Sequence, residues 1–500
     1  MRRLALAALV VLAFPASALA DHTQESISQD DQFLLYSSTA TVSRTLGTLR
    51  SLGVDRVRIT VKWSAIAPDP SNAQRPAGFD ATNPAAYPAS GWAPYDRVVE
   101  LAKAHGIAVQ FNVTAPGPVW AMRSGAPIYW ATVDWAPDSA SFAQFVDAVG
   151  TRYSGTYAGL PRVSSWSIWN EPNQPAWLAP QSYPGAAVSA WLYRLIVQAG
   201  FTGLYASGHT LGSDTILIGE LAPEGYEQPG RLLAMTPMVF MRALYCVDRH
   251  FHRLRGVAAS RVGCPTTGSA RSFVKANLGL FSATGFAHHP YYLFFPPNHG
   301  ASNPDYVPLA NLHRLESGLD RAFRTYGVHG HLPIYITEYG YQTNPPDPTQ
   351  RVTTAEQAVY INQADYLAWR NPRVRSVAQF LLRDSPPNTN LSPSDPQYWD
   401  SFQTGLEFVN GRHKPAYAAY RMPIWIPAFH GRRAFVWGQV RPAFAGATAL
   451  IQWARRHGRW RTLAHVRTVD RFIAARVRLP GTGLVRIKWG RLMSRAVAVR

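Results

Sequence analysis

The sequence predicts an α/β protein, a (β/α)8 TIM barrel followed by a small C-terminal β-sandwich. Three observations carry this. Eight short apolar runs alternate with helical patterns between Phe33 and Leu382, the alternation stops at Pro423, and only strand-like segments follow. Charge divides at the same point. The chain of 500 residues has a net charge of +19, and residues 424–500, with fifteen Arg, one Lys and one Asp, hold +15 of it. Basicity is thus a property of the tail.

Residues 1–20, "MRRLALAALVVLAFPASALA", combine Arg2 and Arg3 with a short apolar stretch and end in Ala18-Leu19-Ala20. This reads as a signal peptide. No later stretch offers ~18 uninterrupted apolar residues, so the expectation is a secreted protein, extracellular or cell-wall associated, with no membrane span. The two cysteines, Cys246 and Cys264, fit one disulfide in an exported chain, worth ~3 kcal/mol. His250 and His252 lie between them at a spacing that matches no zinc ligand pattern, and no metal or cofactor is expected.

The eight expected strands are "FLLYSS" (33–38), "DRVRITVKW" (55–63), "GIAVQFNVT" (106–114), "VSSWSIWN" (163–170), "TILIGE" (215–220), "TGFAHHPY" (284–291), "LPIYITEYG" (332–340) and "RSVAQFLLR" (375–383). Between them, Phe142, Phe145, Val146, Val149 and Tyr153 fall on one face of a helix. Val98, Val99 and Leu101 mark a second helix that stops at Gly106. An open doubly wound sheet is the alternative, but no Gly-rich nucleotide loop follows the first strand. The longest interruption, 221–283, holds both cysteines and is expected to cap one side of a site at the strand ends. "HKPAYAAYRM" (413–422) reads as the last barrel helix with Pro415 in its first turn. The domains are therefore 21–423 for the barrel and 424–500 for the sandwich, whose Arg476, Arg478, Arg486 and Lys488 alternate with Val477, Val485 and Ile487.

Two strands end on a glutamate. "WSIWNEPNQP" turns from an apolar run to Asn170 and Glu171, and "IYITEYGYQT" puts Glu338 where the seventh run stops. Barrels of this kind do their chemistry at the C-terminal ends of strands, and two carboxylates there are the minimum apparatus for splitting a glycosidic bond. Glu220, ending the fifth strand, is the rival rim carboxylate; without a preceding Asn it ranks as a possible substrate contact.

On "WNEPN" and "ITEYG", in order and on the fourth and seventh strands, the chain resembles the retaining (β/α)8 glycoside hydrolases of clan A, in the manner of families 5 and 39. The resemblance spans about residues 33–423. It implies Glu171 as acid/base, Glu338 as nucleophile, and Arg58 on strand two with His289 and Tyr291 on strand six as substrate-binding residues. Asn170 would bond the sugar's 2-hydroxyl, and the two carboxyl groups would lie about 5–5.5 Å apart. His288 would face away. Two departures stand out: "AQFLLRDSP" offers no Trp on strand eight, and "FNVTAPGP" replaces the His often found after strand three.

Trp120, Trp177, Tyr339, Tyr341 and Trp399 fall in expected rim loops, where flat rings could cover apolar sugar faces. Trp63, Trp166 and Trp169 are expected in the core. The reading is a secreted retaining glycosidase acting on a β-linked polysaccharide or oligosaccharide; a catalytically silent carbohydrate-binding protein on the same barrel is the second. The tail would pack on the barrel or meet anionic cell-wall polymer. Nucleic acid is not expected as a partner, because no recognised module accompanies the basic tail.

Overall fold

A computed structural model describes residues 23–125, 132–183, 186–227, 230–444 and 446–499. The signal peptide expected at 1–20 lies outside the described residues. Eight parallel strands close a barrel: β1 (Glu25–Gln29), β2 (Arg56–Lys62), β3 (Ala108–Thr114), β4 (Ser165–Ile168), β5 (Thr215–Leu221), β6 (Gly285–His288), β7 (Ile334–Ile336) and β8 (Val374–Phe380). β8 closes on β1 with Ile27 opposite Ala378. Strands β2 and β3 are buried almost end to end, as a parallel sheet covered on both faces requires.

The first strand is not the expected one. "FLLYSS" begins in a short helix, Asp31–Leu34, which tucks Leu34 into the core, and the barrel strand is the polar "ESISQ" just before it. That strand is buried because its polar side chains are satisfied: Ser26 Oγ bonds Tyr420 Oη at 2.7 Å, and Gln29 Nε2 donates to Thr60 Oγ1 at 3.2 Å.

The outer helices follow their apolar periodicity. Helix α1 (Thr39–Leu52) ends at Gly53, whose φ of 84° lets its N–H reach back to the last carbonyls. Helix α2 (Ala89–Ala104) stops before Gly106, and α3 (Ser139–Arg152) buries Phe142, Phe145, Val146 and Val149 behind an Asp138 cap. Then come α4 (Val188–Ala206), α5 (Pro237–Leu244), α6 (Leu312–Thr325), α7 (Thr354–Arg370) and α8 (Pro415–Arg421). Cys246 and Cys264 form a disulfide. The interruption 221–283 divides: its start, Ala222, Pro223 and Glu224, lines the cavity at the strand ends, whereas the part the cysteines pin packs on the barrel's flank. Buried Arg194 of α4 donates to the carbonyls of Ala243, Leu244, Val262 and Gly263, and Tyr326, after α6, donates to that of Tyr245. Among the described residues no helix is long and apolar enough to cross a membrane.

Two antiparallel sheets follow the barrel. One contains β9 (Arg433–Gln439) and β12 (Phe472–Arg478); the other contains β10 (Thr448–Ala454), β11 (Arg461–Arg467) and β13 (Gly483–Trp489). Val436, Ile451, Ile473, Val485 and Ile487 fill the space between them. The sandwich seats firmly on the barrel. Trp437 and Phe472 pack with Tyr366 and Trp369 of α7, and buried Arg441 donates to Asp365 at 2.8 Å and to the Tyr420 carbonyl. Arg471 pairs with Asp55 at 2.7 Å, just before β2, so the sandwich sits at the N-terminal end of the strands. A Cβ at Gly53 would lie 2.4 Å from the Arg441 backbone.

Replacing Arg441 with Met leaves Asp365 buried without its cation. Such a change costs about 3–5 kcal/mol and should appear as a lower urea midpoint for the full chain; an unchanged midpoint would show that the seat does not depend on this pair.

Candidate active site

The C-terminal ends of the barrel strands open into a cavity of about 520 Å³. Glu171 and Glu338 both line it, with side chains 19% and 12% exposed. Each sits just past its strand, where a parallel barrel delivers side chains to the rim. One carboxylate oxygen of each and His289 Nδ1 lie within 4.8 Å of one another.

Arg58, fully buried on β2, is the hub beneath them. Its Nη1 donates to Glu338 Oε1 at 2.7 Å and to Gln29 Oε1, and its Nη2 donates to Asn170 Oδ1 at 2.7 Å and Glu220 Oε2 at 3.1 Å. A guanidinium only donates, so Asn170 must present its oxygen to Arg58 and has its NH2 free for the cavity it lines. The Asn170 backbone N–H donates to Oγ1 of Thr114, the last residue of β3, at 3.0 Å.

His289, also fully buried, bridges the carboxylates. Its Nδ1 is 2.9 Å from Glu171 Oε1 and 3.7 Å from Glu338 Oε2, and its Nε2 is 2.6 Å from Glu220 Oε2. Thr337 Oγ1 donates to the same Glu220 oxygen at 2.6 Å. Burial alone would raise the Glu220 carboxyl, but Arg58 and His289 hold it down at about 2. Burial likewise disfavours charge on His289, yet Glu338, Glu171 and Glu220 push its imidazole up to about 10. Burial raises the Glu338 carboxyl above its ordinary 4.5 against the pull of His289 and Arg58. Tyr291 Oη donates to Glu338 Oε2 at 3.2 Å.

The backbone is bent hard here. Trp169, Glu171, Glu220 and Leu381 have φ of 69°, 35°, 52° and 70°, at the ends of β4, β5 and β8. Non-glycine residues pay for such angles, and they persist only where the surroundings fix them.

Several expected contacts lie elsewhere. Arg58, Glu220 and His289, all expected to meet substrate, are fully buried outside the cavity lining and hold the residues that form it; Glu220 orients His289 and balances Arg58. Trp120 packs on Trp63 and Phe79 and donates to the Pro68 carbonyl, outside the cavity lining. Tyr339 and Tyr341 are buried and bonded to each other at 3.0 Å, a layer on which Tyr291 stacks. Trp399 lines a neighbouring depression that shares Gln342 and Phe402 with the main cavity. Trp177 does line the cavity. His288 bonds the Val307 carbonyl at 2.7 Å, facing away.

Sequence reasoning missed Gln29, Asp31, Lys62, Gln174, Glu224 and Phe380, all in the lining. Gln29 and Asp31 were lost with the misplaced first strand. Phe380, ending β8, stands edge-on to Tyr291 where no Trp was found. Among the described residues, only Glu171, His289 and Glu338 gather three potential ligand atoms for a cation. The Arg58 guanidinium already supplies positive charge to that cluster.

The charge shifts fix a pH dependence. His289 has a folded pKa above its free 6.5, so its contribution to stability is full below 6.5 and lost as pH rises through about 10. Glu220 is depressed, so its contribution is full above 4.5 and lost as pH falls through about 2. Thermal scans should show Tm falling from pH 7 to 10, and less so in His289→Gln; equal slopes in the two proteins would contradict this.

No family model matches the sequence, and no curated protein does. Among solved structures, the chain is similar to a family 39 glycoside hydrolase from the gut symbiont Bacteroides cellulosilyticus WH2, at 14% identity over 92% of this chain and 82% of that one, TM-score 0.48. It is similar to a monomeric beta-xylosidase from Caulobacter crescentus CB15, at 13% identity over 93% and 98%, TM-score 0.48. It is also similar to the GH39 enzyme from Xanthomonas axonopodis pv. citri, at 14% identity over 93% of each chain, TM-score 0.50. At this identity the likeness is one of fold alone, the (β/α)8 barrel with an antiparallel β domain after it.

Proposed function

We propose that the protein is an exported glycoside hydrolase that cleaves β-linked O-glycosides of an oligosaccharide or polysaccharide with retention of anomeric configuration. The observation that carries this reading is the pair Glu171 and Glu338, with carboxylate oxygens within 4.8 Å across one cavity. So close an approach of two oxygens favours direct attack by one carboxylate, as in sites whose carboxyl groups lie about 5–5.5 Å apart, over the ~6.5–9.5 Å of an inverting site.

Position and bonding partners support the roles. Two buried cations, Arg58 and His289, face three carboxyl groups, Glu171, Glu220 and Glu338. Glu338 is the nucleophile: Arg58 and Tyr291 donate to its carboxylate and oppose the rise that burial gives it. Glu171 is the acid/base: the first step requires its carboxyl to carry the proton that leaves with the aglycone, and its Oε1 lies 2.9 Å from His289 Nδ1, which fixes its place at the cavity wall. In the first step Glu338 attacks the anomeric carbon, the glycosidic C–O bond breaks, and the Glu171 proton passes to the leaving oxygen. In the second, Glu171 takes a proton from water, which displaces Glu338 from the glycosyl ester. The Asn170 NH2 donates to the 2-hydroxyl, a bond that strengthens as positive charge grows on the ring. Trp177 and Phe380 offer flat apolar surface to sugar faces.

Export is supported by the sequence of residues 1–20 and the disulfide. We also assign the +15 sandwich a role in retention on anionic cell-wall polymer.

Glu338→Ala should lower kcat at least ~10³-fold on every glycoside; activity that survives it overturns the assignment. Glu171→Ala should spare kcat/KM for glycosides whose aryl leaving group departs without a proton, lower their kcat because water loses its base, and cut kcat/KM on alkyl glycosides by ~10²–10⁴-fold. NMR of the first-formed product should show the β-anomer. The acid limb of kcat/KM should lie above pH 4.5, because Glu338 must be ionised and its carboxyl is raised.

A further inference from the structure

We propose that the outer face of the first sandwich sheet is a docking site for a uronate-bearing polysaccharide, centred on Arg433, Arg476 and Arg478 around Phe435. The inference rests on the anchoring role assigned above to the sandwich and is independent of the catalytic chemistry.

Strands β9 and β12 pair antiparallel, with Arg433 opposite Arg478 and Phe435 opposite Arg476. Ala434, Val436 and Val477 point to the sandwich core, so the three arginines and Phe435 share the other face. All three arginines are exposed. Like charges directly opposite on neighbouring strands are destabilising, and here a third guanidinium stands one rung away. Among the described residues none of the three pairs with a carboxylate, and Asp470, the single acid of residues 424–500, precedes the far end of β12. A bound polyanion would relieve that repulsion.

The face is also shaped. With Pro427 and Ala428 the arginines and Phe435 line a depression of about 580 Å³. Guanidinium forks match planar carboxylates bidentately, and the half-buried ring and the proline give a sugar face apolar ground, which a bare phosphodiester chain does not need. Farther along the same sheet, Trp437 and Phe472 pack against α7, so the barrel supports this strand pair. The sandwich seats at the N-terminal end of the barrel strands, and a polymer held there leaves the cavity at the other end open.

The test is affinity electrophoresis of the full chain through polygalacturonate, with dextran as the neutral gel and duplex DNA in a parallel gel-shift. Wild type and Glu338→Gln should be retarded equally by polygalacturonate and not by dextran, and retardation should fade as salt rises. Arg433→Gln/Arg476→Gln/Arg478→Gln should weaken retention by about tenfold or more. Arg455→Gln/Arg459→Gln, on the β10–β11 hairpin of the second sheet, should change it less than about twofold. Circular dichroism and Tm establish that each variant is folded, and Arg476→Glu alone is the substitute if the triple variant is not. A wild type that ignores polygalacturonate overturns both the anchoring role and the site, whereas a triple variant that binds like wild type, or loss confined to the hairpin variant, overturns the site alone. Binding to DNA without binding to polygalacturonate overturns the polysaccharide assignment. Hydrolysis of a soluble aryl glycoside by wild type reads the catalytic proposal separately.

Discussion

A guanidinium with no access to water holds the rim of this barrel together. Arg58 reaches β1 through Gln29, β4 through Asn170, β5 through Glu220 and β7 through Glu338. Burying a cation is expensive unless its donors and its charge are met. The two carboxylates meet the charge, and the two amide oxygens meet much of the remaining donor capacity. Lysine could not substitute, because a point charge on a flexible stem cannot hold four acceptors in one plane.

The second consequence is a division of labour among three acids of the same type. Glu220 has no exposure and takes bonds from Arg58, His289 and Thr337, which makes it a permanent anion. That anion fixes His289 so that its other nitrogen faces the two carboxyl groups in the cavity. Glu171 and Glu338 differ from Glu220 in access, and from each other in the neighbour that bonds them. Environment, not residue type, sets the part each plays.

The sequence announced the barrel wherever burial coincided with apolarity. β2 to β8 lie inside or beside the expected runs, and both rim glutamates stand at strand ends as their positions suggested. β1 escaped because hydropathy is blind to a strand whose Ser26, Ser28 and Gln29 are buried by hydrogen bonding and by the closeness of the barrel interior. Side-chain direction was less legible. Trp120 lies beyond a strand end yet turns outward onto Trp63, and Tyr339 follows Glu338 but points beneath the cavity. Glu220 could be found at the rim from its strand. That it faces inward rather than upward depends on a φ of 52°, which no periodicity reveals.

Gly53 joins two jobs in one residue. Its left-handed turn ends α1, and the space a side chain would fill is occupied by the backbone of Arg441, nearly four hundred residues later. Part of the instruction for mounting the appendage is therefore written in the body that receives it. Grafting residues 424–500 onto a foreign barrel would transplant the plug without its socket, and the two halves of this chain must have been tuned as a matched set.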